Sequence, residues 1–506
     1  MKKLSLTLLA ILAVLTGVVL VRTARFTSRQ LQVAPAPAMA IDSDGLAKRL
    51  AEAIRFKTIS FQDPAEPSVI EFNRLHAFLA KSFPRVHGQL SKETVNTHSL
   101  LFTWTGKDAR LKPMLLMGHM DVVPVDSATE KKWTHASFSG TIDDGYVWGR
   151  GTMDDKVSVL GILEAVEYLL GAGFQPQRTI YLAFGHDEEI GGYNGAGKIA
   201  ALLQQRGVEL EYVLDEGMNI VEGIIADVSA PVALIGIAEK GYVSLELTVE
   251  SPGGHSSTPP PRTAIGILSG AIDKIERSPF PSRFEGPTGQ MFEFIGPEMS
   301  WQKKIIIANR WLFDPLVRRE LVKSPLTDAT IRTTQAATIF EAGVRENILP
   351  TKARAVVNFR ILPGDTIDGV VDRVRKVVDS PEIRITPLPI RVEPSPVSDA
   401  ESAAFKTLHR TIRQIAPQVL AAPALLVAAT DSRHYAKLSR NIFRFLPITL
   451  RSDDAKRYHG IDERISVSDY ERCVRFYAQL MRNSNRQATA TFLPAYAESH
   501  GRPTPP

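Results

Sequence analysis

One histidine and three groups of carboxylates follow apolar segments of this chain, at the points where strands are expected to end. The four segments are Gly118-His119-Met120-Asp121, Gly149–Lys156 with Asp154 and Asp155, Asp187-Glu188-Glu189, and Asp215-Glu216-Gly217. Ligands of open α/β sheets bind at the carboxyl ends of the strands, so these side chains are expected to meet. Packing so many carboxylates together is unfavourable unless cations neutralise them. The pattern therefore predicts a metal centre with nitrogen and oxygen ligands, which suit Zn²⁺, Co²⁺ or Mn²⁺.

The spacing of His119 and Asp121 adds a chemical detail, because residues two apart in an extended segment point to the same face. A carboxylate in that position can accept the free ring N–H of a metal-bound histidine. Taken alone, each acidic pair is more often a helix cap or a solvated loop. Their recurrence at successive strand ends favours the metal centre. Cys473 is the only cysteine, which excludes an internal disulfide framework and a cysteine zinc cluster.

The elements around these residues alternate between short apolar strands and helices. Strands are predicted at 113–117, 179–184 and 212–214, and helices near 43–54 and 157–170. This alternation indicates an α/β domain with a central sheet flanked by helices. From about residue 237 the pattern changes, with half-solvated strands at 242–249 and 353–360 and a helix at 367–378. Helices at 403–415 and 467–482 and a strand at 442–445 then resume the first pattern.

These segments give a domain division of the chain. The catalytic domain is expected over 45–236 and 396–485, with an inserted α+β domain over 237–395. Residues 31–44 contain a Pro/Ala linker, and the polar, Pro-rich residues 486–506 are expected to be a disordered tail.

The net charge of +5 is concentrated at the N-terminus. Residues 1–30 contain Lys2, Lys3, Arg22, Arg25 and Arg29 and no acidic residue, so the remaining charges balance and a nucleic-acid partner is not expected. Between them, 4–21 carry no charge and would span about 27 Å as a helix. This favours an uncleaved membrane anchor over a cleaved signal peptide. Either one favours a catalytic body on the periplasmic, extracytoplasmic or lumenal side.

The motifs resemble those of the zinc-dependent family of aminoacylase, glutamate carboxypeptidase, acetylornithine deacetylase and carboxypeptidase S. The matching segments are GHMDVVP (118–124), GRGTMDDK (149–156), DEEIGG (187–192), LDEG (214–217), GGHSS (253–257), NFRILPG (358–364) and YHGIDE (458–463). LDEG, TDSRHY (430–435) and HGIDERI (459–465) are most similar to carboxypeptidase S and the N-fatty-acyl-amino acid synthase/hydrolases. The resemblance implies a di-zinc exopeptidase-type catalytic domain with a mixed sheet, and an inserted lid that also forms homodimers.

The resemblance also implies roles for individual residues. Asp154 would bridge two zinc ions, His119 would bind one of them, and Glu189 and His459 would bind the other. The LDEG ligand is expected at Glu216, with Asp215 as the alternative. Asp121 would orient His119, and Glu188 would be the general base.

On the substrate side, the resemblance implies that His255 stabilises the oxyanion, often in the neighbouring subunit. Arg360 and Asn347 are candidates for binding a free carboxylate. Thr430, Asp431 and Arg433 are expected to line the pocket, although capping of a helix by Asp431 is an equal alternative.

The expected activity is hydrolysis of an amide bond next to a free amino-acid carboxylate, as in a carboxypeptidase S-like peptidase. Hydrolysis of N-acyl or N-fatty-acyl amino acids is the alternative, because both substrates have the same bond and the same carboxylate. A non-catalytic binding protein on the same fold is a remote alternative, since no residue of the expected machinery is missing.

Overall fold

The structure, a computed structural model, describes residues 2–61 and 66–485 of the 506-residue chain. The tail predicted over 486–506 lies outside the described residues. The α-helices are α1 (Lys2–Arg25), α2 (Ser43–Ile54), α3 (Glu66–Ser82), α4 (Pro84–Gln89), α5 (Ser127–Glu130), α6 (Lys156–Gly171), α7 (Ala196–Gln205), α8 (Ala264–Glu276), α9 (Gly286–Ile295), α10 (Trp301–Ala308), α11 (Arg310–Leu321), α12 (Pro325–Ala329), α13 (Ile367–Val378), α14 (Ala403–Ile415) and α15 (Val467–Ser484).

The strands form one large sheet and three smaller ones. They are β1 (Ser91–Val95), β2 (Ser99–Trp104), β3 (Met114–His119), β4 (Thr141–Asp143), β5 (Tyr146–Trp148), β6 (Ile180–Gly185), β7 (Tyr212–Asp215), β8 (Ile220–Val221), β9 (Val232–Glu239), β10 (Gly241–Glu250), β11 (Gly254–His255), β12 (Thr334–Ala342), β13 (Ile348–Leu349), β14 (Lys352–Ile361), β15 (Ile383–Val392), β16 (Leu420–Leu426), β17 (Ile442–Arg444), β18 (Thr449–Leu450) and β19 (Arg464–Ser466). Short 3₁₀ helices cover Glu188–Ile190, Gly296–Glu298, Asp431–Tyr435 and Asp454–Arg457.

The large sheet is mixed and has ten strands in the order β1-β2-β6-β3-β7-β17-β9-β8-β18, with β16 beside β9. Its central strand β3 is parallel to both β6 and β7, and all six of its residues are buried. Such a continuous apolar run is typical of a parallel strand that is covered on both faces. Helices α6 and α15 pack together in the main core, and α7 belongs to a second core cluster. This confirms the α/β catalytic fold that the alternating pattern predicts.

The second sheet, in the order β12-β14-β10-β15, is antiparallel and forms an α+β unit with α8 and α13. The apolar residues of β10 and β14 form a separate buried cluster with these two helices. Helix α9, which lies between α8 and β12 in sequence, instead packs against β16, with Phe294 and Ile295 in the main core. Strand β9 of the large sheet continues to Glu239, two residues beyond the predicted start of the insertion.

Helix α1 could cross a membrane by its length and composition. Its span Lys3–Arg25 has a mean hydropathy of 2.7 in its most apolar stretch, and none of that stretch is buried in the protein. Residues near its carboxyl end contact α10.

Acid should destabilise the fold through His409 of α14. Its ring is buried, and Nε2 lies 3.3 Å from Gln30 Oε1. Burial lowers the pKa of His409 from 6.5 to about 4, so protons bind the unfolded chain first as the pH falls. The contribution of the neutral His409 to the free energy of unfolding is therefore fully present above pH 6.5 and falls between pH 6.5 and 4. At pH 5 the loss should be about 2 kcal/mol. The measurement is the free energy of unfolding of wild type and His409→Gln at pH 7 and pH 5. If the free energy of unfolding fell equally in both proteins between pH 7 and pH 5, His409 would not be the group responsible.

Candidate metal centre

His119 ends β3 at the carboxyl edge of the large sheet, opposite Gly185 of β6. Its ring is buried, and Nδ1 lies 3.0 Å from the carbonyl oxygen and 3.3 Å from Oδ1 of Asp121. The other ring nitrogen, Nε2, lies 2.9 Å from Asp154 Oδ1. The ring is therefore held from one side and directed at Asp154 on the other.

Asp154 lies between two histidines that are far apart in sequence. Its second oxygen, Oδ2, is 3.1 Å from Nε2 of His459, and that nitrogen is also 3.1 Å from Glu189 Oε2. Burial alone would raise the pKa of Asp154, but hydrogen bonds with both histidines outweigh it and hold the pKa below its usual value. The hydrogen bonds with Asp154 and Glu189 raise the pKa of His459 to about 10. Four of the predicted ligands, His119, Asp154, Glu189 and His459, thus form one connected cluster.

This cluster fits a divalent cation by its chemistry. One ligand atom each from His119, Asp154 and Glu189 lie within 4.8 Å of one another. Glu189 Oε1 is buried and has no hydrogen-bond partner in the described part of the chain, which is costly for a carboxylate oxygen unless a cation binds it. A cation would also replace the proton of His459, because a ligating imidazole must be neutral.

Asp121 organises both sides of the cluster. Besides holding His119, its carboxylate accepts the backbone N–H of Glu188 (3.1 Å) and of Glu189 (3.1 Å). Ser60 Oγ donates a further hydrogen bond of 2.7 Å to Asp121 Oδ2. A single buried carboxylate therefore positions the histidine and the turn that carries both glutamates. Ser60 gives no signal in the sequence, because it lies in an unremarkable segment distant from every motif.

Glu188 differs from its neighbour Glu189 in having no hydrogen bond to its carboxylate from any described residue. Burial raises its pKa well above the usual value, and the charges of Asp431 and Glu189 raise it further. Its backbone N–H donates to Asp121, which fixes the position of the residue, while its carboxylate has no hydrogen bond that would compete with a substrate or a water. A raised pKa makes this carboxylate a stronger base than an exposed glutamate, which suits proton transfer.

Asp215 and Glu216, the two alternatives in the LDEG segment, have different surroundings. Asp215 is buried and accepts the backbone N–H groups of Glu216 and Ser432, both at 2.9 Å. The carboxylate of Glu216 accepts no hydrogen bond from a described residue. Burial and then the charge of Asp154 raise the pKa of Glu216 well above its usual value. These surroundings favour Glu216, whose carboxylate is free to bind a cation.

A pair of variants distinguishes these alternatives. Glu216→Ala should lower the metal bound per chain, measured by atomic absorption, because it removes a carboxylate that has no other partner. Asp215→Ala should leave the metal content closer to wild type and lower the melting temperature, since two buried N–H groups lose their acceptor. The reverse order of metal contents would assign the ligand to Asp215.

Glu463 supports the loop that presents Asp154, a role that the sequence does not reveal. Its Oε1 accepts the backbone N–H groups of Gly151 (2.9 Å), Met153 (2.8 Å) and Asp154 (3.3 Å). Its Oε2 accepts a 2.6 Å hydrogen bond from Arg150 Nη1. Burial raises the pKa of Glu463 to about 7. The YHGIDE segment thus supplies both His459 and the support for its partner Asp154.

His255 and Asn347 lie together in the inserted domain. Strand β11, with His255, pairs with β13, and Ser256 N donates to the carbonyl oxygen of Asn347 at 3.2 Å. Both side chains are exposed, and the His255 ring bonds only Ser257 in the described part of the chain. The structure does not bring either residue into contact with the metal cluster of the same chain.

Arg360 lies on β14, with its guanidinium 4.9 Å from the ring centre of Tyr242. It is half-buried and has no carboxylate partner among the described residues. Burial and the charge of Arg433 lower the pKa of Arg360. Arg433 in turn donates to the carbonyl oxygen of Gly191 at 2.6 Å, beside the turn of Glu188 and Glu189.

Thr430 precedes the 3₁₀ helix near this turn, and Asp431 is the first residue of that helix. Thr430 caps that helix by accepting the N–H of Ser432, so the alternative of a capping Asp431 is wrong. Asp431 is buried, and neither of its oxygens has a hydrogen-bond partner in the described structure. Gly192, at φ +67°, packs so closely that a Cβ there would come within 1.6 Å of Asp431 Oδ1. Only glycine fits this position beside the turn of Glu188 and Glu189.

Comparisons with known proteins agree with the motifs. The model of Peptidase family M20/M25/M40 matches residues 115–483. Probable carboxypeptidase S-like 2 of Dictyostelium discoideum is 45% identical over 474 residues, which cover 92% of this chain and 91% of that protein. N-fatty-acyl-amino acid synthase/hydrolase PM20D1 of Homo sapiens is 40% identical over 441 residues, 86% of each chain. Carboxypeptidase S of Saccharomyces cerevisiae is 33% identical over 490 residues, 87% of this chain and 84% of that one.

Solved structures confirm the fold. The M20 family metallo-carboxypeptidase Sso-CP2 from Sulfolobus solfataricus has a TM-score of 0.62 at 18% identity, covering 88% of this chain and 100% of its own. Human carnosine dipeptidase 1 has a TM-score of 0.61 at 14% identity, and the match covers 88% of this chain and 96% of the dipeptidase chain. The chain belongs to peptidase family M20/M25/M40, and it is an enzyme, a metallohydrolase of that family.

Proposed function

We propose that the protein is a di-zinc carboxypeptidase of the carboxypeptidase S type. It would hydrolyse the amide bond next to the free carboxylate of a terminal amino acid. The ligands would be His119, Asp154 and Glu216 for one ion, and Asp154, Glu189 and His459 for the other, with Co²⁺ or Mn²⁺ as possible replacements. Divalent ions held there would supply Lewis acidity toward the scissile carbonyl and the attacking water.

Glu188 would act as the general base and then as the general acid of the reaction. Its carboxylate has no competing hydrogen bond among the described residues, and its backbone is fixed by Asp121 at 3.1 Å. Burial raises its pKa, so that it can accept a proton from water and then release it to the departing nitrogen. Asp121 would keep His119 oriented through the 3.0 and 3.3 Å contacts.

The observation that carries the substrate proposal is the half-buried guanidinium of Arg360. It has no anionic partner among the described residues, and the positive charge of another arginine, Arg433, lowers its pKa. Two guanidinium groups repel one another unless an anion neutralises them. A carboxylate is such an anion, and it matches the planar fork of arginine bidentately. Arg360 would therefore select substrates that end in a free carboxylate.

The test compares dipeptides with the same dipeptides amidated at the C-terminus, using the zinc-loaded full chain. The amides should be cleaved at least about 100-fold less efficiently in kcat/KM, because they cannot neutralise the arginines. Arg360→Ala should raise KM for the free acids and leave the slow cleavage of amides unchanged. Arg384→Ala, which removes an exposed arginine of β15, is the matched control. Equal cleavage of acids and amides would contradict the proposal.

Hydrolysis of N-fatty-acyl amino acids is the second candidate, favoured by the 40% identity to the human PM20D1 protein over 86% of both chains. An oleoyl amino acid has the same scissile amide and the same carboxylate as a dipeptide. Adding acetyl- and oleoyl-amino acids to the same substrate panel separates the two candidates by their kcat/KM values.

We further propose that α1 anchors the enzyme in a membrane, with the body on the periplasmic, extracytoplasmic or lumenal side. The support is the exposed apolar span Lys3–Arg25. The exposed ribbon of His255 and Asn347 would serve the active site of a second subunit, in a homodimer formed through the inserted domain. Mixing inactive Glu188 and His255 variants should then restore part of the activity, because one of the two sites in a mixed dimer would be complete.

A further inference from the structure

Helices α10, α11 and α12 carry an exposed surface that the catalytic proposal does not use. Large apolar side chains are open to solvent there, and basic residues lie between them. Trp301 is 52% exposed, Trp311 53% and Leu316 52%. We name this surface the juxtamembrane face, defined by Trp301, Lys303, Trp311, Leu312, Leu316, Arg319, Val322 and Leu326.

The exposed residues of α11 lie on one side of the helix. Trp311 and Leu312 are adjacent, Leu316 and Arg319 follow four and seven residues after Leu312, and all four are exposed. Val317 on the opposite side is buried in a small core with Phe284, Ile307 and Ile331. The helix therefore has its core contacts already, and the exposed apolar side needs another partner.

The position of α1 relative to this face is fixed by specific contacts. The buried Asn309, between α10 and α11, donates through Nδ2 to Val19 O (3.2 Å) and to Thr23 Oγ1 (3.0 Å). These acceptors lie in the last two turns of α1. The apolar part of α1 thus leaves the body directly beside α10 and α11, with none of its apolar stretch buried.

A cavity of about 450 Å³ opens where α1 meets the body. Its lining includes Arg22, Arg25, Arg29, Arg310 and Trp311, and one acid, Glu293, which pairs with Arg29 at 3.6 Å. Basic residues at the end of a spanning helix lie at the level of the lipid headgroups. Tryptophan prefers the same level, because its ring is apolar and its N–H is polar.

We propose that the juxtamembrane face rests on the surface of an anionic phospholipid bilayer. Trp301, Trp311, Leu312 and Leu316 would enter the interface, and the arginines of the junction cavity would face lipid phosphates. The inference rests on the proposed anchoring by α1, which sets the plane of the bilayer at Arg22–Arg29. It adds a second membrane contact, made by the folded domain outside α1, that fixes the orientation of the enzyme relative to the bilayer.

Tryptophan fluorescence tests this contact in the full chain. The chain has five tryptophans, and Trp104, Trp133 and Trp148 are buried, with exposed fractions of 8% or less. Quenching by lipids therefore reports on Trp301 and Trp311. The full-length protein is reconstituted into vesicles of phosphatidylcholine and phosphatidylglycerol, with the phosphatidylcholine brominated near the top of its acyl chains or left unbrominated.

Brominated lipid should quench roughly a third or more of the emission of wild type, and far less in the Trp301→Phe/Trp311→Phe variant. Replacing the phosphatidylglycerol with phosphatidylcholine should reduce the quenching. The double variant Lys303→Gln/Arg319→Gln should also reduce it, whereas Arg375→Gln/Arg384→Gln, which removes two exposed charges from the inserted domain, should not.

Carbonate extraction of the same vesicles reports on the anchor, and dipeptide cleavage reports on the active site. Protein that stays in the membrane and cleaves dipeptide, but shows no more quenching than the tryptophan variant, would overturn the proposed contact alone. Cross-linking between chains through a cysteine introduced by Leu316→Cys would assign the face to a second copy and would equally overturn it.

Discussion

Replacing Glu188 with alanine or glutamine should lower turnover by orders of magnitude while the metal content stays unchanged. The side chain has no hydrogen bond from a described residue, so its removal leaves no buried donor without a partner. The proposed ligands His119, Asp154 and Glu189 keep their contacts, because Asp121 holds the turn through backbone N–H groups rather than through the Glu188 side chain. Loss of a general base typically lowers the rate by about 10²–10⁴-fold.

The measurement pairs kcat/KM for a dipeptide with atomic absorption of the same sample. Glu382→Gln, an exposed glutamate of the inserted domain, is the matched control and should behave as wild type. Retained turnover in Glu188→Gln would assign proton transfer to another group. Loss of metal in that variant would instead indicate that Glu188 is a ligand.

The sequence predicts the fold and the metal cluster for a common reason. Strand β3 and strand β6 read as buried apolar runs, and the carboxyl ends of such strands lie at one edge of a sheet. His119 and the turn with Glu188 and Glu189 immediately follow those runs. Local pattern is therefore sufficient to bring them together, and the structure has His119 opposite Gly185, two residues before Asp187.

The supporting contacts are not predictable in the same way. Glu463 accepts a hydrogen bond from Gly151, which lies 312 residues away in sequence, and Ser60 donates to Asp121 across 61 residues. Neither contact has a periodic signature, since each depends on how distant loops meet in three dimensions. Helix α9 illustrates the same limit for packing. Its apolar face would suit either domain, and only the folded chain reveals that Phe294 packs into the main core.

His459→Ala should lower both the metal bound per chain and the activity. The imidazole Nε2 lies between two carboxylate oxygens, 3.1 Å from Asp154 Oδ2 and 3.1 Å from Glu189 Oε2. Without the His459 imidazole, the carboxylates of Asp154 and Glu189 would lie together and the proposed ion would have one ligand fewer. Loss of residues that merely support a ligand costs roughly 10–100-fold in metal affinity, so loss of a ligand should cost more. Atomic absorption after dialysis should give close to one metal per chain instead of two, with His135→Ala as the matched control at two.

The two variants together separate metal binding from proton transfer. Excess zinc should recover part of the activity of His459→Ala, because mass action can refill a weakened site whose proposed base, Glu188, is intact. The same zinc should not recover Glu188→Gln, whose metal content is already complete. If zinc recovered neither variant, or if His459→Ala kept two tightly bound ions, His459 would act on the substrate rather than on the metal. The 3.1 Å contacts with Asp154 and Glu189 would then describe a positioned catalytic histidine, and the second ion would need a different ligand.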